Sequence, residues 1–500
     1  MDLAAALSYG FSVALTPANL LACFVGVFVG TLIGVLPGIG PVATMSLLLP
    51  ATYALSPTAS IIMLAGIYYG AMYGGSTTSI LANIPGESTS VVTCLDGHQM
   101  ALQGRAGAAL GIAAFGSFIA GTLSVVGITL LAPPLAKTAL QFGPPEIFAV
   151  LLLGFTLITQ LSSGSKARAA AMALLGMLFG TVGIDPISGV ARFTFGVMAL
   201  NDGVGLVPII MGLFGVSEVL LNVETQVRQE IVGARLTGLL PTRADWRASA
   251  APIARGSVLG FFLGILPGVG AIIPTFISYA LERRVARDPT RFGRGAIEGV
   301  AAPEAANNAA SGGALIPLLT LGVAPNVPMA LLLGAFVIHG VQPGPLMIAE
   351  RPELFWGVVA SMYVGNAILL ALNLPLIGLW VQLLRVPYGL LFPLILMFCV
   401  IGVWSEAGNP ADLIVLVVFG VVGYLMKKLD FEPAPLVLAF VLGRMAEEAL
   451  RQSLLISRGS PAILFSRPLA TTILALAVVA ALLPVVVPRL RQRLRALPAE

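Results

Sequence analysis

The sequence predicts an all-α polytopic membrane protein made of two inverted structural repeats, with re-entrant hairpins, broken helices and about 10–12 transmembrane segments. Three observations lead there. The 500 residues are 57% hydrophobic and only 10% charged, and their mean hydropathy is +0.96, whereas a soluble domain carries about 25% charged residues. Apolar stretches near 20 residues recur along the chain, each long enough to cross a hydrocarbon core about 30 Å thick. A glycine motif occurs twice. Continuous apolar runs such as 469–487 lack the alternation that the strands of a transmembrane barrel require.

The motif defines the repeats. Gly26, Gly30 and Gly34 precede Leu36-Pro37-Gly38-Ile39-Gly40, and Gly256, Gly260 and Gly264 precede Leu266-Pro267-Gly268-Val269-Gly270, an offset of 230 residues at every matched position. Further on, Gly74-Gly75 leads to Ile84-Pro85-Gly86, as Gly312-Gly313 leads to Val323-Ala324-Pro325. Gly212 with Glu218-Val219-Leu220 corresponds to Gly443 with Glu448-Ala449-Leu450. The first repeat is placed at 1–222, a cytoplasmic linker at 223–252, the second repeat at 253–452, and a C-terminal helix with a basic cytoplasmic tail at 453–500.

In chain order, the first repeat opens with a hairpin around 26–51, followed by a helix around 58–86 that the Gly74-Gly75 pair is expected to break. Residues 1–104 contain no Lys or Arg. The second hairpin, 256–281, lies between two basic flanks: Arg228, Arg235, Arg243, Arg247 and Arg255 before it, and Arg283, Arg284, Arg287, Arg291 and Arg294 after it. Short Arg-rich loops face the cytoplasm, so this uncharged segment enters and leaves on one side. Each arm around Pro267-Gly268 has about 11 residues, hence about 16 Å of helix, or half a bilayer. The first hairpin has uncharged flanks and is expected to open to the other face, which makes the repeats inverted. A second broken helix is expected around 299–325. Gly26, Gly30, Gly256 and Gly260 read best as helix-packing residues, and Gly26→Ala is expected to be mild. The Leu-Pro-Gly-x-Gly tips suit positive φ and a missing N–H.

Between Glu298 and Glu350 the only charged residue is Glu304, within Pro303-Glu304-Ala305-Ala306-Asn307-Asn308. On a helix, Glu304, Asn307 and Asn308 share a face. That face is either a hard-cation site, intramembrane acids being functional by default, or a helix start whose dipole favours a carboxylate after Pro303. We take the first, with Glu304, Asn308, Gly38 and Gly268 as sodium ligands. In the first repeat, Ser76, Thr77 and Asn83 follow the Gly-Gly pair in a stretch free of charge from residue 3 to 86. Hydroxyls and helix N-terminal N–H groups there would suit an anion, although Ser/Thr hydroxyls bonded to the i−4 carbonyl are common in membrane helices. The candidate substrate-binding set is Gly38, Gly40, Ser76, Thr77, Asn83, Gly268, Gly270, Asn307, Asn308 and Ser311.

Other classes are disfavoured. No Gly-x4-Gly-Lys-Ser/Thr or His-Glu-x-x-His motif occurs, and His98 and His339 have no metal-ligand partners at suitable spacing. Cys23, Cys94 and Cys399 match no disulfide or metal framework. The net charge of +4 reflects topology signals rather than nucleic-acid binding. Arg489, Arg491, Arg493 and Arg495 read as an anchor beside anionic lipid. A channel and an intramembrane enzyme without ion-coupled uptake remain the alternatives.

The doubled Leu-Pro-Gly-x-Gly motif, with Pro303-Glu304-Ala305-Ala306-Asn307-Asn308 and Gly312-Gly313, resembles the large membrane subunit of tripartite tricarboxylate transporters over roughly residues 10–460. The resemblance implies a permease of the bacterial inner membrane rather than an enzyme. It would take up di- or tricarboxylates such as citrate from a periplasmic solute-binding protein, accompanied by a small membrane subunit of about four helices. It also implies sodium as the coupling ion and no other cofactor. A homodimer is a possible assembly.

Overall fold

A computed structural model of the chain describes residues 2–36, 40–161, 165–185, 187–225, 238–383 and 388–495. The first hairpin tip at Pro37-Gly38-Ile39, residues 226–237 of the linker with Arg228 and Arg235, and the last five residues lie outside that set. Among the described residues the one strand pairing is Gly183–Ile184 with Ala191–Arg192, and the rest of the regular structure is helical. Among the described residues, six helices are long and apolar enough to cross a membrane, and five shorter apolar helices accompany them. The chain is an all-α polytopic membrane protein.

The chain divides into two compact units, the first formed by Met1–Lys137, Gly205–Leu266 and Gly270–Leu425, the second by Thr138–Val204, Pro267–Val269 and Met426–Glu500.

In the first unit, the glycine stripes set the helix packing. The Pro17–Val35 helix lies along the Pro57–Ala82 helix. A Cβ at Gly26, Gly30 or Gly34 would meet the carbonyl oxygen of Met63, Ile67 or Ala71 at 2.3, 2.5 and 2.3 Å. The second repeat does the same: a Cβ at Gly256, Gly260 or Gly264 would meet the carbonyl oxygen of Ala302, Ala306 or Ala310 at 2.4, 2.2 and 2.3 Å. Two backbones this close need small residues every fourth position. The packing role expected for these glycines is what the structure shows, but the expectation that Gly26→Ala is mild is overturned, because the added methyl has a backbone oxygen in its place.

The first of the two expected broken helices needs correction. The Pro57–Ala82 helix, started by Ser56 as N-cap and Pro57 behind it, runs unbroken through Gly74-Gly75. Those glycines are contact points: a Cβ at Gly74 would lie 2.3 Å from the Thr31 carbonyl oxygen, and one at Gly75 would lie 2.9 Å from Glu87 Cγ. The helix ends at Asn83, in the left-handed region at φ +55°. In the second repeat, Glu298–Gly313 steps through Ala314 into Leu315–Leu321, and the chain leaves the helix only at Gly322, φ +70°. Asn326 then caps the Val327–Ile338 helix by accepting from Met329 N.

The arms of the second hairpin are the helices Arg243–Ile265 and Ile272–Val285. Arg255 donates from Nε and Nη2 to the two carboxylate oxygens of Glu282, at 2.7 and 2.6 Å. Each partner sits ten residues, about 15 Å of helix, from the tip end of its arm, so the arms run side by side. The first arm starts earlier than expected. Thr242 and Asp245 form a reciprocal capping box, and an alanine-rich stretch follows, so residues 243–252 of the expected linker are helical.

In the second unit, Lys166–Gly180 packs on Ala434–Ile456, with Gly176 against the Leu436 backbone. Pro144–Leu161 packs on Pro468–Arg495. Arg451 pairs with Asp185 at 2.8 Å and Glu447 at 3.3 Å, and Arg467 pairs with Glu146 at 2.6 Å. The tip residue Gly268, at φ +82°, belongs here, and a Cβ on it would fall 2.6 Å from the Ile158 backbone.

Candidate functional site

The first unit buries a group of polar side chains between the Pro57–Ala82 helix, the segment after it and the Glu298–Gly313 helix. Every residue from Ala59 to Ala82 and from Gly299 to Gly313 is buried. At the centre stands Glu304, 1% exposed. Ser76 Oγ donates to its Oε2 at 2.6 Å, and the Thr93 hydroxyl donates to Oε1. One turn on, Asn308 Nδ2 donates to Ser117 Oγ at 2.7 Å and to the Glu304 carbonyl at 3.1 Å. Ser311 Oγ donates to the Asn307 carbonyl at 3.0 Å. Asn307 is also 1% exposed, and neither polar atom of its side-chain amide has a hydrogen-bond partner.

A second carboxylate belongs to this group. After Asn83 ends its helix, the chain turns back through Pro85-Gly86 and lays Glu87 over Gly75, next to Ser76. Gly86 is required there because a Cβ would lie 2.0 Å from the Gly34 carbonyl oxygen. Glu87 is 7% exposed. Its carboxylate accepts from Thr89 N at 2.8 Å and from the Thr89 hydroxyl. It is near enough to Glu304 for the two charges to repel, and the Asn307 amide is within hydrogen-bonding reach of its carboxylate. Among the described residues, neither carboxylate has an ion-pair partner.

Thr77 is buried and, with Tyr73, Ser76 and Ser117, lines a cavity of about 10 Å³. That is room for one water-sized occupant. Its polar lining is the hydroxyls of these four residues and the Asn373 amide; the Glu304 carboxylate, which accepts from Ser76, is not part of that lining.

The structure therefore brings together Glu304, Ser76, Thr77, Asn307, Asn308 and Ser311. It does not bring in Asn83, which is exposed and forms the helix end. Ser76 and Thr77 stand inside a continuous helix, where the N–H groups are spent on the helix ladder, so the N-terminal anion donors expected at this point are absent. Gly40 (φ +66°) and Gly270 (φ +60°) have the left-handed backbone expected of hairpin tips, with open space where a Cβ would stand. Gly268 lies in the second unit, and Gly38 falls outside the described residues.

Sequence reasoning missed Glu87, Thr93 and Ser117. Glu87 had a signal, being the first charge after the long neutral run. It also missed Asp96, fully buried, whose Oδ1 accepts from Gly293 N, Gly295 N and Ala296 N at 2.8–2.9 Å while Oδ2 accepts from Tyr279 Oη at 2.9 Å. These bonds fix the loop that leads into the Glu304 helix.

Comparison with known proteins fits this arrangement into a family. The family model described as "Tripartite tricarboxylate transporter TctA family" matches residues 20–438. The chain is similar to an Agrobacterium vitis protein described as "Uncharacterized 52.8 kDa protein in TAR-I ttuC' 3'region", with 50% identity over 487 residues, 97% of each chain. It is also similar to a protein of the same organism described as "Uncharacterized protein in TAR-II ttuC' 3'region", with 49% identity over 224 residues, 45% of this chain and 93% of that one. No solved structure matches.

Proposed function

The chain belongs to the tripartite tricarboxylate transporter TctA family, and from that premise we propose that it is a secondary-active permease coupling sodium entry to uptake of organic carboxylates. The substrate class is di- and tricarboxylates such as citrate, delivered by a periplasmic solute-binding protein. A small membrane subunit accompanies the permease in the bacterial inner membrane, and a homodimer is compatible with this plan.

The observation that carries the reading is the buried Glu304 carboxylate, solvated by the Ser76 and Thr93 hydroxyls and, among the described residues, without an ion-pair partner. A charge desolvated in this way is costly unless a counter-ion accompanies it. Sodium is that counter-ion in this proposal, with Glu304 and Asn308 among its ligands. The substrate carboxylates take hydrogen bonds from the backbone at Gly40 and Gly270, where the space for a side chain is open, and from Thr77 and Asn307, and on binding they displace the acceptors that Ser76, Asn308 and Ser311 now donate to. Glycine at positive φ leaves backbone N–H groups accessible to an anion. Inversion of the two repeats would let the tips reach the membrane midplane from opposite faces.

The test is uptake of radiolabelled carboxylates into proteoliposomes holding this chain and its small subunit, with the binding protein added outside. Saturable uptake that needs an inward sodium gradient, and fails when choline replaces sodium, is expected. Unsaturable flux would favour a channel, and chemical conversion of the substrate an intramembrane enzyme.

A further inference from the structure

We propose that the small cavity beside Asn373 binds a monovalent alkali cation through neutral oxygens, at a position distinct from that of Glu304 and Asn308. The proposal rests on the sodium-coupled reading above for the identity of the ion, and takes Tyr73 and Asn373 as ligands outside the sets given there.

Asn373 provides an acceptor with nothing to accept. It is 5% exposed and ends the helix Pro352–Asn373, where Pro375 supplies no N–H to extend the ladder. Its Nδ2 donates to the Leu369 carbonyl at 2.9 Å, and Oδ1 is left as the spare acceptor. Among the described residues that oxygen has no hydrogen-bond partner, although buried amides nearly always have one. Asn373 lines the cavity together with Tyr73, Ser76, Thr77 and Ser117.

The protons of the neighbouring hydroxyls are directed elsewhere. A hydroxyl has one proton to give, and Ser76 gives its own to Glu304 Oε2 at 2.6 Å. Asn366 spends its Nδ2 on the Phe118 carbonyl and the Thr122 hydroxyl, so its Oδ1 takes the Tyr73 proton, at 2.6 Å. Ser76 and Tyr73 therefore meet the cavity with lone pairs alone, as does Asn373 Oδ1. Three of the five polar side chains in the lining can accept and cannot donate. Such a lining repels an anion and suits a cation. The C-terminal end of the 22-residue helix adds a partial negative charge at the same place.

Size and charge decide which cation. The cavity of about 10 Å³ takes one water-sized occupant. Calcium and magnesium sites draw on carboxylates, and among the described residues no carboxylate is in this lining. A monovalent ion fits it, and Glu304, one hydroxyl away through Ser76, supplies the countercharge. Water has two protons for three acceptors, whereas a cation is ligated by all three.

Glu304→Gln removes the position at Glu304 and keeps this lining, so the full-length chain carrying it is the reference protein. Purified in detergent, it would be titrated with NaCl against choline chloride at constant ionic strength, reading thermal unfolding and bound ²²Na⁺. Sodium should still bind and stabilise it, at a higher concentration than in wild type. Adding Asn373→Ala should raise the half-saturating sodium at least tenfold. Adding Asn373→Asp, which keeps the oxygen and brings a charge, should lower it at least tenfold, a gain that misfolding does not produce. Half-saturation unmoved by either substitution would mean that the cavity takes a water, and would overturn the proposal. Sodium binding that is present in wild type and vanishes in Glu304→Gln would overturn it too, and leave the coupling at Glu304 standing. One binding step shared by wild type and Glu304→Gln, and lost with Asn373→Ala, would support the cavity and remove Glu304 from the reading.

Discussion

At the scale of single residues, the site was half legible. Glu304 stands out because it is the lone charge between 298 and 350, and the i, i+3, i+4 spacing correctly set Asn307 and Asn308 beside it. Its hydroxyl partners could not be read the same way, because Thr93 is 211 residues and Ser76 is 228 residues from it in sequence. Asn83 was misjudged: a polar residue at the end of an apolar run is as good a left-handed helix stop as a ligand. Two predictions belong here. Gly26→Ala should unfold at a markedly lower temperature than Gly270→Ala in detergent. The first places a methyl 2.3 Å from the Met63 carbonyl oxygen, whereas the second meets nothing within 4 Å and costs about 1–2 kcal/mol for its positive φ. The opposite order would contradict the packing described. Asp96→Asn replaces charge-assisted hydrogen bonds, worth about 1.5–3 kcal/mol each, with weaker ones. Limited trypsin digestion should therefore cut at Arg291 and Arg294 faster than in wild type, and unchanged cleavage would mean that Asp96 does not fix that loop.

At the scale of elements, the tip of the second hairpin was more legible than the helices beside it. Leu-Pro-Gly-x-Gly marks a tip because glycine adopts the positive φ values found at Gly268 and Gly270 without the strain that a side chain adds. A Gly-Gly pair carries less information, since it either ends a helix or admits a neighbour. The facing stripe resolves the matter in hindsight: Gly66, Gly70 and Gly74 repeat the four-residue spacing of Gly26, Gly30 and Gly34, and each approaches that helix's backbone. The bidentate Arg255–Glu282 pair ties the bases of the two arms, so both flanks should share one side of the membrane. Single cysteines at Arg243 and Arg291 should both resist a membrane-impermeant thiol reagent in intact cells and both react after permeabilisation. Labelling of one alone from outside would break the hairpin reading.

At the scale of the whole molecule, composition alone gives a polytopic membrane protein, and the doubled motif reappears as two helix pairs packed through equivalent glycine stripes. The division into two compact units was not legible, because the second unit is assembled from residues 138–204, 267–269 and the C-terminal part, segments that share no motif. Family membership makes the chain part of a carboxylate transport system, and the buried Glu304 is where the proposed coupling to sodium becomes a chemical claim. The most direct measurement is the initial rate of carboxylate uptake against sodium concentration, in matched proteoliposomes holding wild type or Glu304→Gln. Wild type should show saturable activation by sodium. Glu304→Gln, with size and polarity kept and charge removed, should reconstitute equally but lose at least nine-tenths of the rate and most of its response to sodium. A sodium activation curve in Glu304→Gln that superimposes on the wild-type curve would contradict the account.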